Sequence, residues 1–341
     1  MVSSFNLDKK KTILIAEACD NHFGSLNNAK KMVLQAKKAG ADIIKFQHHI
    51  PDEEMLKKVP KSKNFKSSLY DFLKKYSLKL DDHKKLMIFS KKVGIKYLCT
   101  PFSYKAAFEL NEMGISWFKI GSGEFTDLPF IREVLKFKKP VIFSTGMSSI
   151  NEMTMVYKFI LNNKKNRFAL MNCTSEYPPK LEDININFIN FMKKNFSKAI
   201  IGHSDHTNDI ITSLGAVAMG AKIIEKHVHL DGMNFGPDRD VSINFKQFGD
   251  LAKKIRILEK SLGKEKKVYP KEQIIRRWAT RSLYVVKDIS KGEKLTKKNL
   301  WSIRPGTGIP SRYYDKVIGL KAKTNIKSGN LLKLNQLEKK I

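Results

Sequence analysis

"KIIEKHVHLD", residues 222–231, opens on two isoleucines and then sets Glu225, His227 and His229 at every second position. In a strand, alternate side chains leave the same face, so these three groups would share one side. Acid and imidazole are costly to desolvate without partners. The stretch therefore reads as a buried strand that starts apolar and ends in chemistry. Seven earlier stretches share that grammar: "TILIAEACD" (12–20), "ADIIKFQHH" (41–49), "IKYLCTPFS" (95–103), "WFKIGSGE" (117–124), "PVIFSTGMSS" (140–149), "FALMNCTSEYP" (168–178) and "KAIIGHSDHT" (198–207).

Segments at helical spacing lie between them. In residues 26–40, Met32, Val33, Ala36 and Ala39 recur at three- and four-residue steps. Gly94, Gly114 and Gly220 stand where left-handed helix caps are expected. Eight strands alternating with eight helices predict a (β/α)8 barrel, an α/β fold whose chemistry gathers at the C-terminal ends of its strands. Those ends carry Glu17, then Lys45 and Gln47, Thr100, Lys119 with Ser122 and Glu124, Ser144, Thr174 to Tyr177, Ser204 with His206, and Glu225 with His227. Polar strand ends are common, but lysines inside strands, as in "IIKFQ" and "FKIGSGE", are not, because lysine is rarely buried unpaired.

The barrel rhythm predicts a first domain over 1–262, followed by a lysine-rich linker over 263–280. Residues 281–341 form a different module. Its "DISKGEKLTKKNL" (288–300) and "NIKSGNLLKLNQL" (325–337) echo one another, which predicts a small pseudo-symmetric β-rich domain, with "IRPGTGIP" (303–310) between them. After the second strand, residues 50–68 form a long insertion read as a loop over the barrel mouth.

The formal charge is +31, yet lysine is spread through nearly every helical segment and no nucleic-acid motif accompanies it. These charges read as solvated helix faces, and no nucleic-acid partner is expected. Cys19, Cys99 and Cys173 are odd in number and far apart, which supports neither a disulfide framework nor a cysteine-based zinc site and fits a reducing cytoplasm. The N-terminus has no apolar core of a leader peptide, and the longest apolar stretch, 210–224, is short of the ~20 residues that cross a bilayer.

Two constellations could carry chemistry. His206 and His227 end neighbouring barrel strands, and Glu225 points into the same interior, a pattern suited to a divalent metal with open positions. Mixed imidazole, carboxylate and water ligation accommodates Mn2+, Zn2+, Co2+ or Mg2+. A hydrogen-bonding role for the histidines is the alternative. Lys45 and Lys119, with Ser122, Ser144, Ser204 and the glycine-flanked amides of "GSGE" and "STGMSS", would form an anion site. The alternative there is a structural ion network with Glu17 and Glu124.

"IAEACDNHFG", "KFQ", "TPFS", "FKIGSGE", "STGMSS", "CTSEYP", "GHSDHT", "IIEKH", "GPDRDVS" and "IRPGTG" occur in an order and spacing that resembles the sialic acid (N-acetylneuraminate) synthase family, which includes legionaminic and pseudaminic acid synthases. The resemblance runs from about residue 12 to the C-terminus. It implies a metal-dependent condensation of phosphoenolpyruvate with an open-chain N-acylated amino sugar, N-acetylmannosamine or a 2,4-diacetamido-2,4,6-trideoxy hexose, to a nine-carbon 2-keto acid and phosphate. It also implies a barrel followed by an antifreeze-protein-like (SAF) domain, in a domain-swapped homodimer, with Mn2+ the most expected metal.

Carried over by position, His206 and His227 match metal ligands, and Glu225 a carboxylate holding a metal-bound water. Lys45, Lys119, Ser122, Ser144 and Ser204 match phosphoenolpyruvate contacts. Gln47, Glu124, Tyr177 and Asp238 match sugar contacts, and Arg304 an arginine delivered from the partner's small domain to the N-acyl group. Glu17 and Glu124, beside the lysines, are the candidates for proton transfer, with Lys119 the third catalytic candidate. Three positions depart from the family pattern: Ser175, assigned to the phosphoenolpyruvate site, stands where some members have Asn, Arg239 where many have His, and His229 where many have Thr. His229 is read as a loop residue past the strand's end. Two rival readings exist: a Schiff-base pyruvate aldolase using Lys45 or Lys119, and a carbohydrate- or ice-binding protein with a degenerate barrel.

Overall fold

The computed structural model of the protein describes residues 11–58, 68–163, 167–233, 236, 238–263 and 265–339. Eight strands alternate with helices: β1 (Ile13–Glu17), β2 (Ile43–His48), β3 (Lys96–Pro101), β4 (Phe118–Ile120), β5 (Val141–Ser144), β6 (Phe168–Cys173), β7 (Ile200–Asp205) and β8 (Ile223–His229). Their ladders are parallel and run in the order β3-β2-β1-β8-β7-β6-β5-β4, while β3 and β4 at the two ends of that path lie side by side. This is the (β/α)8 barrel expected from the alternation.

The helices form because each has one apolar stripe and a defined start. In the helix Leu26–Lys38, the Ser25 side chain accepts from the Asn28 amide, Lys37 and Lys38 end the last turn, and Ala29, Met32, Val33 and Ala36 are buried against the barrel. Burying a side chain of Met32's size contributes about 1.5–3 kcal/mol. Gly94 stops the helix Leu80–Val93 at φ +79, where a side chain would be strained.

Inside the barrel the two ends differ. Ile15, Ile43, Leu98, Ile142, Met171 and Ile223 pack the N-terminal half. One pleat further, Glu17, Lys45 and Glu225 replace them: Glu17 pairs in register with Lys45 and with His227, and Ser204 with Glu225. An apolar plug thus supports a polar floor.

β8 continues through His229, which is buried and lies opposite Asn244 of a short added strand, Ile243–Asn244. His229 is therefore a strand residue and not the loop residue expected. The extra strand extends β8 past the point where neighbouring barrel strands end, and His229 Nδ1 meets the Leu230 carbonyl at 2.9 Å.

The chain divides into two compact units, 1–263 and 264–341. The stretch read as a linker carries a helix, Pro270–Ala279. In the smaller unit Ser282–Val285 pairs antiparallel with Leu300–Ile303 over a core that includes Leu283, Val285 and Leu300. The two echoing segments meet at equivalent residues: Ile289 and Ile326 exchange both backbone hydrogen bonds, at 2.9 and 2.8 Å. Leu295 and Leu332 are equivalently buried, and Gly292 and Gly329 take matching positive φ values of 81 and 88. Of the insertion read as a mouth loop, residues 59–67 lie outside the described residues; short helices Pro51–Glu54 and Leu69–Tyr76 flank them. No described helix is long and apolar enough to cross a membrane.

Candidate active site

A cavity of about 250 Å³ opens at the C-terminal ends of the barrel strands. Its floor is a buried charge cluster. Lys45 Nζ sits 3.0 Å from Glu225 Oε1 and 3.4 Å from Glu17 Oε2, and Lys119 Nζ sits 3.6 Å from Glu225 Oε1. Lys119 also donates to Ser144 Oγ at 2.6 Å, and Ser204 Oγ donates to Glu225 Oε1 at 3.0 Å. The lysines thus engage Glu17 and Glu225, while Glu124 stands apart with its carboxylate against Gly121, close enough to leave no room for a Cβ there.

Charge is unevenly held in this cluster. Burial pushes Glu225 up, but Lys119 and Lys45 outweigh it and keep the carboxyl well below its usual range. Burial likewise lowers Lys45, but Glu17 and Glu225 outweigh it and raise its ammonium above the usual range. Burial pushes Lys119 down, so its proton is the more easily released. Glu17 is pushed up to about 7 by burial, with the neighbouring Glu225 adding to the effect. Glu124 is also raised to about 7 by burial. Two carboxyls therefore titrate near neutrality, Glu17 beside the lysines and Glu124 apart from them, the condition for proton transfer at ordinary pH.

The cavity wall continues through Ser122, Ser175 and Cys173. Ser122 Oγ accepts from the Gly146 amide at 3.2 Å, and a Cβ on Gly146 would stand 2.2 Å from Ser175 Oγ and 2.7 Å from Ser122 Oγ. This glycine keeps the hydroxyls and the amide together. Gln47 Nε2 donates to Glu17 Oε1 at 2.8 Å, and Gln47 Oε1 lies 3.1 Å from His49 Nε2. His49 is itself held by Glu54, 2.9 Å from Nδ1, and by stacking on Phe102 at 4.1 Å.

At the mouth, the His206 and His227 rings meet edge to face, 5.0 Å apart, and Tyr177 stacks on His206 at 4.4 Å. His206 Nδ1 lies 2.8 Å from the Thr174 carbonyl, which fixes that nitrogen as the donor and leaves Nε2 a lone pair, 3.3 Å from the Tyr177 hydroxyl. Burial lowers His206 to about 4 and His227 well below its usual value, so both rings are neutral and able to ligate. His227 Nδ1 and Glu225 Oε2 are buried without a hydrogen-bond partner. Neutral imidazoles with an orphaned nitrogen fit a divalent ion. Asp238 lies off the cavity wall, its Oδ2 3.7 Å from His227 Nδ1, with Cys19 beside it.

The remaining sequence candidates lie elsewhere. Arg304 belongs to the smaller unit, where its Nε donates to the Ala279 carbonyl at 2.9 Å. Arg239 Nε donates to the Met233 carbonyl at 2.9 Å. Thr100, Phe102, Met147 and Cys173 line the cavity without having been chosen from sequence as site residues, and Cys19 was read only as one of three cysteines that support neither a disulfide framework nor a cysteine-based zinc site. Position at a strand end was the available signal for Thr100; for Phe102 and Met147, set in loops, none was.

A family model, the NeuB family, matches residues 32–267. The chain belongs to the NeuB family. A SAF domain model matches residues 280–338. The chain is 38% identical over 333 residues to an N,N'-diacetyllegionaminic acid synthase of Campylobacter jejuni, covering 95% of this chain and 99% of that protein. It is 35% identical over 338 residues to a pseudaminic acid synthase of the same species, covering 97% and 98%. Among solved structures, it resembles N-acetylneuraminic acid (sialic acid) synthetase from Leptospira borgpetersenii serovar Hardjo-bovis, with a TM-score of 0.72 and 29% identity over 78% of this chain and 90% of that one.

Proposed function

We propose that this NeuB family member condenses phosphoenolpyruvate with N-acetylmannosamine or a related N-acylated amino sugar, forming a nine-carbon 2-keto acid and releasing phosphate. One observation carries the reading: two buried lysines and four serines line the cavity below a pair of neutral histidines at its mouth. A floor with two ammonium groups suits a substrate bearing both phosphate and carboxylate. The likeness to legionaminic and pseudaminic acid synthases supports a second reading of the sugar, a 2,4-diacetamido-2,4,6-trideoxy hexose.

Lys45 and Lys119, with the hydroxyls of Ser122, Ser144, Ser175 and Ser204, hold the anionic substrate and balance its charge as bonds change. Binding there draws the lysines away from Glu225 and Glu17, which frees both carboxylates. His206 and His227 would hold a divalent ion, Mn2+ in this reading, with Glu225 beside it, and that ion would supply Lewis acidity toward the sugar's carbonyl oxygen. Gln47, Tyr177, Glu124 and Asp238 orient the sugar. Glu17 and Glu124 exchange the protons that accompany water addition and phosphate loss. Arg304 contacts the N-acyl group from the small unit of a second copy in a domain-swapped homodimer, a role supported by the family resemblance alone. The free state of Cys19, Cys99 and Cys173 supports a reducing, cytoplasmic setting.

The experiment is an activity screen of the purified chain with phosphoenolpyruvate, Mn2+ and each candidate sugar in turn, run beside borohydride trapping with pyruvate. The expected outcome is product with one sugar class and no trapped adduct. A borohydride-trapped pyruvate adduct on Lys45 or Lys119 would instead establish Schiff-base aldolase chemistry.

A further inference from the structure

Behind the histidine pair lies a second set of donors. One donor atom from each of Cys19, His227 and Asp238 lies within 4.8 Å of the other two, with His227 Nδ1 and Asp238 Oδ2 only 3.7 Å apart. Metal ligands in a tetrahedral shell stand about 3.4–3.7 Å apart, given bonds of about 2.0–2.3 Å to nitrogen, oxygen and sulfur. Modest side-chain rotation would bring all three to that spacing. The Cys19 thiol set beside the Asp238 carboxylate accounts for two of the groups. It leaves unexplained why His227 Nδ1, on a residue only 4% exposed, is aimed into the cluster with no hydrogen-bond partner. Cys19 is also held at φ +39, a left-handed backbone that strains a side-chain-bearing residue and that glycine would adopt more easily.

We propose that Cys19, His227 and Asp238 form a three-donor site for a borderline-to-soft divalent ion such as Zn2+ or Co2+, with its remaining position open to the cavity side. The inference rests on, and sharpens, the reading of the barrel mouth as metal-binding. It adds a thiolate to the ligand set and uses His227 Nδ1. Sulfur ligation biases the site away from Mg2+ and from the Mn2+ of the proposed reaction, which prefer oxygen, so an ion held by Cys19 takes the place of Mn2+ there. Binding releases the thiol proton to solvent, since the thiolate is the ligand.

The test is anaerobic titration of the metal-free, full-length protein with Co2+, followed by absorption. A near-ultraviolet thiolate-to-cobalt charge-transfer band is expected in the wild type and in His206→Ala. The band is expected to vanish in Cys19→Gly and Cys19→Ser, with Co2+ affinity lower by about tenfold or more. Glycine suits the backbone at this position, and a thermal melt of each variant controls for folding. Cobalt bound to the wild type without the band, or bound unchanged by Cys19→Gly, would overturn the site. If Co2+ binding is instead lost only in His206→Ala, the ion rests on the histidine pair and the proposed condensation stands without Cys19. If no divalent ion binds the wild type, the site and the metal component of the proposed function both fail.

Discussion

Lys119 is almost completely buried, shares Glu225 with Lys45 and donates to Ser144. Lys119→Ala is expected to lower kcat by about 100-fold or more, the usual effect of removing one group that stabilises developing charge. Steady-state kinetics that showed only a raised KM would assign Lys119 to binding alone. Glu17 gives a second prediction. Its carboxyl titrates at 4.5 ordinarily and about 7 in the fold, so between those values the folded protein holds more protons than the unfolded chain. Its contribution to stability is therefore lost as pH rises from about 4.5 to about 7, and is level above that. The buried neutral histidines act in the opposite direction, so the measurement is the difference between wild type and Glu17→Gln in denaturant melts across that range. The wild type should lose stability relative to Glu17→Gln as pH rises, and a constant difference would place Glu17's proton elsewhere. At this scale Lys45, Lys119, Glu225 and His227 were legible because a polar residue inside an apolar strand stands out. The link from Glu54 through His49 to Gln47 was not, because it depends on the short helix Pro51–Glu54 folding back onto a strand end.

Between elements, the end of β7 and the middle of β8 are joined by a buried pair that points away from the cavity. Lys226 Nζ lies 3.1 Å from Asp205 Oδ1, and both side chains are essentially inaccessible. Asp205 also accepts from Thr212 Oγ1 at 2.7 Å, from Ser213 Oγ and from Thr207 N at 2.9 Å, and Lys226 donates to the Thr207 carbonyl. His206 and His227 are the next residues along the chain, so this network braces the backbone that carries them. Lys226→Met leaves the Asp205 charge buried without its main partner and is expected to cost about 3–5 kcal/mol by chemical denaturation. Lys226→Met with Asp205→Leu is expected to recover part of that loss. A single variant within 1 kcal/mol of wild type would show the pair to be dispensable. The strands were legible from their β-branched runs, and Gly94, Gly114 and Gly220 from their place after helical repeats; all three take positive φ. The end of β8 was misjudged because the strand Ile243–Asn244, about fifteen residues later, holds His229 in register. That is a long-range pairing with no local signature.

At the scale of the molecule, the eightfold alternation made the barrel readable, and the echo between 288–300 and 325–337 anticipated the paired Ile289 and Ile326 of the small unit. The helix Pro270–Ala279 was hidden by its composition, since a lysine- and arginine-rich segment with no buried residue looks like a linker. The two units have separate hydrophobic cores, so a chain ending at Gly263 is expected to melt cooperatively. It should nevertheless be inactive if Arg304 completes the site from a second copy, and full activity in a truncated monomer would remove the small unit from the chemistry. The most direct test of the central claim is stoichiometric. Phosphoenolpyruvate, the N-acylated amino sugar and a divalent ion are supplied together and in each pairwise combination, while phosphate and the nine-carbon 2-keto acid are quantified in parallel. Equal amounts of both products, formed only when all three components are present and abolished by EDTA, are predicted. Phosphate released without the sugar, or no condensation with any N-acylated amino sugar, would contradict the proposed function.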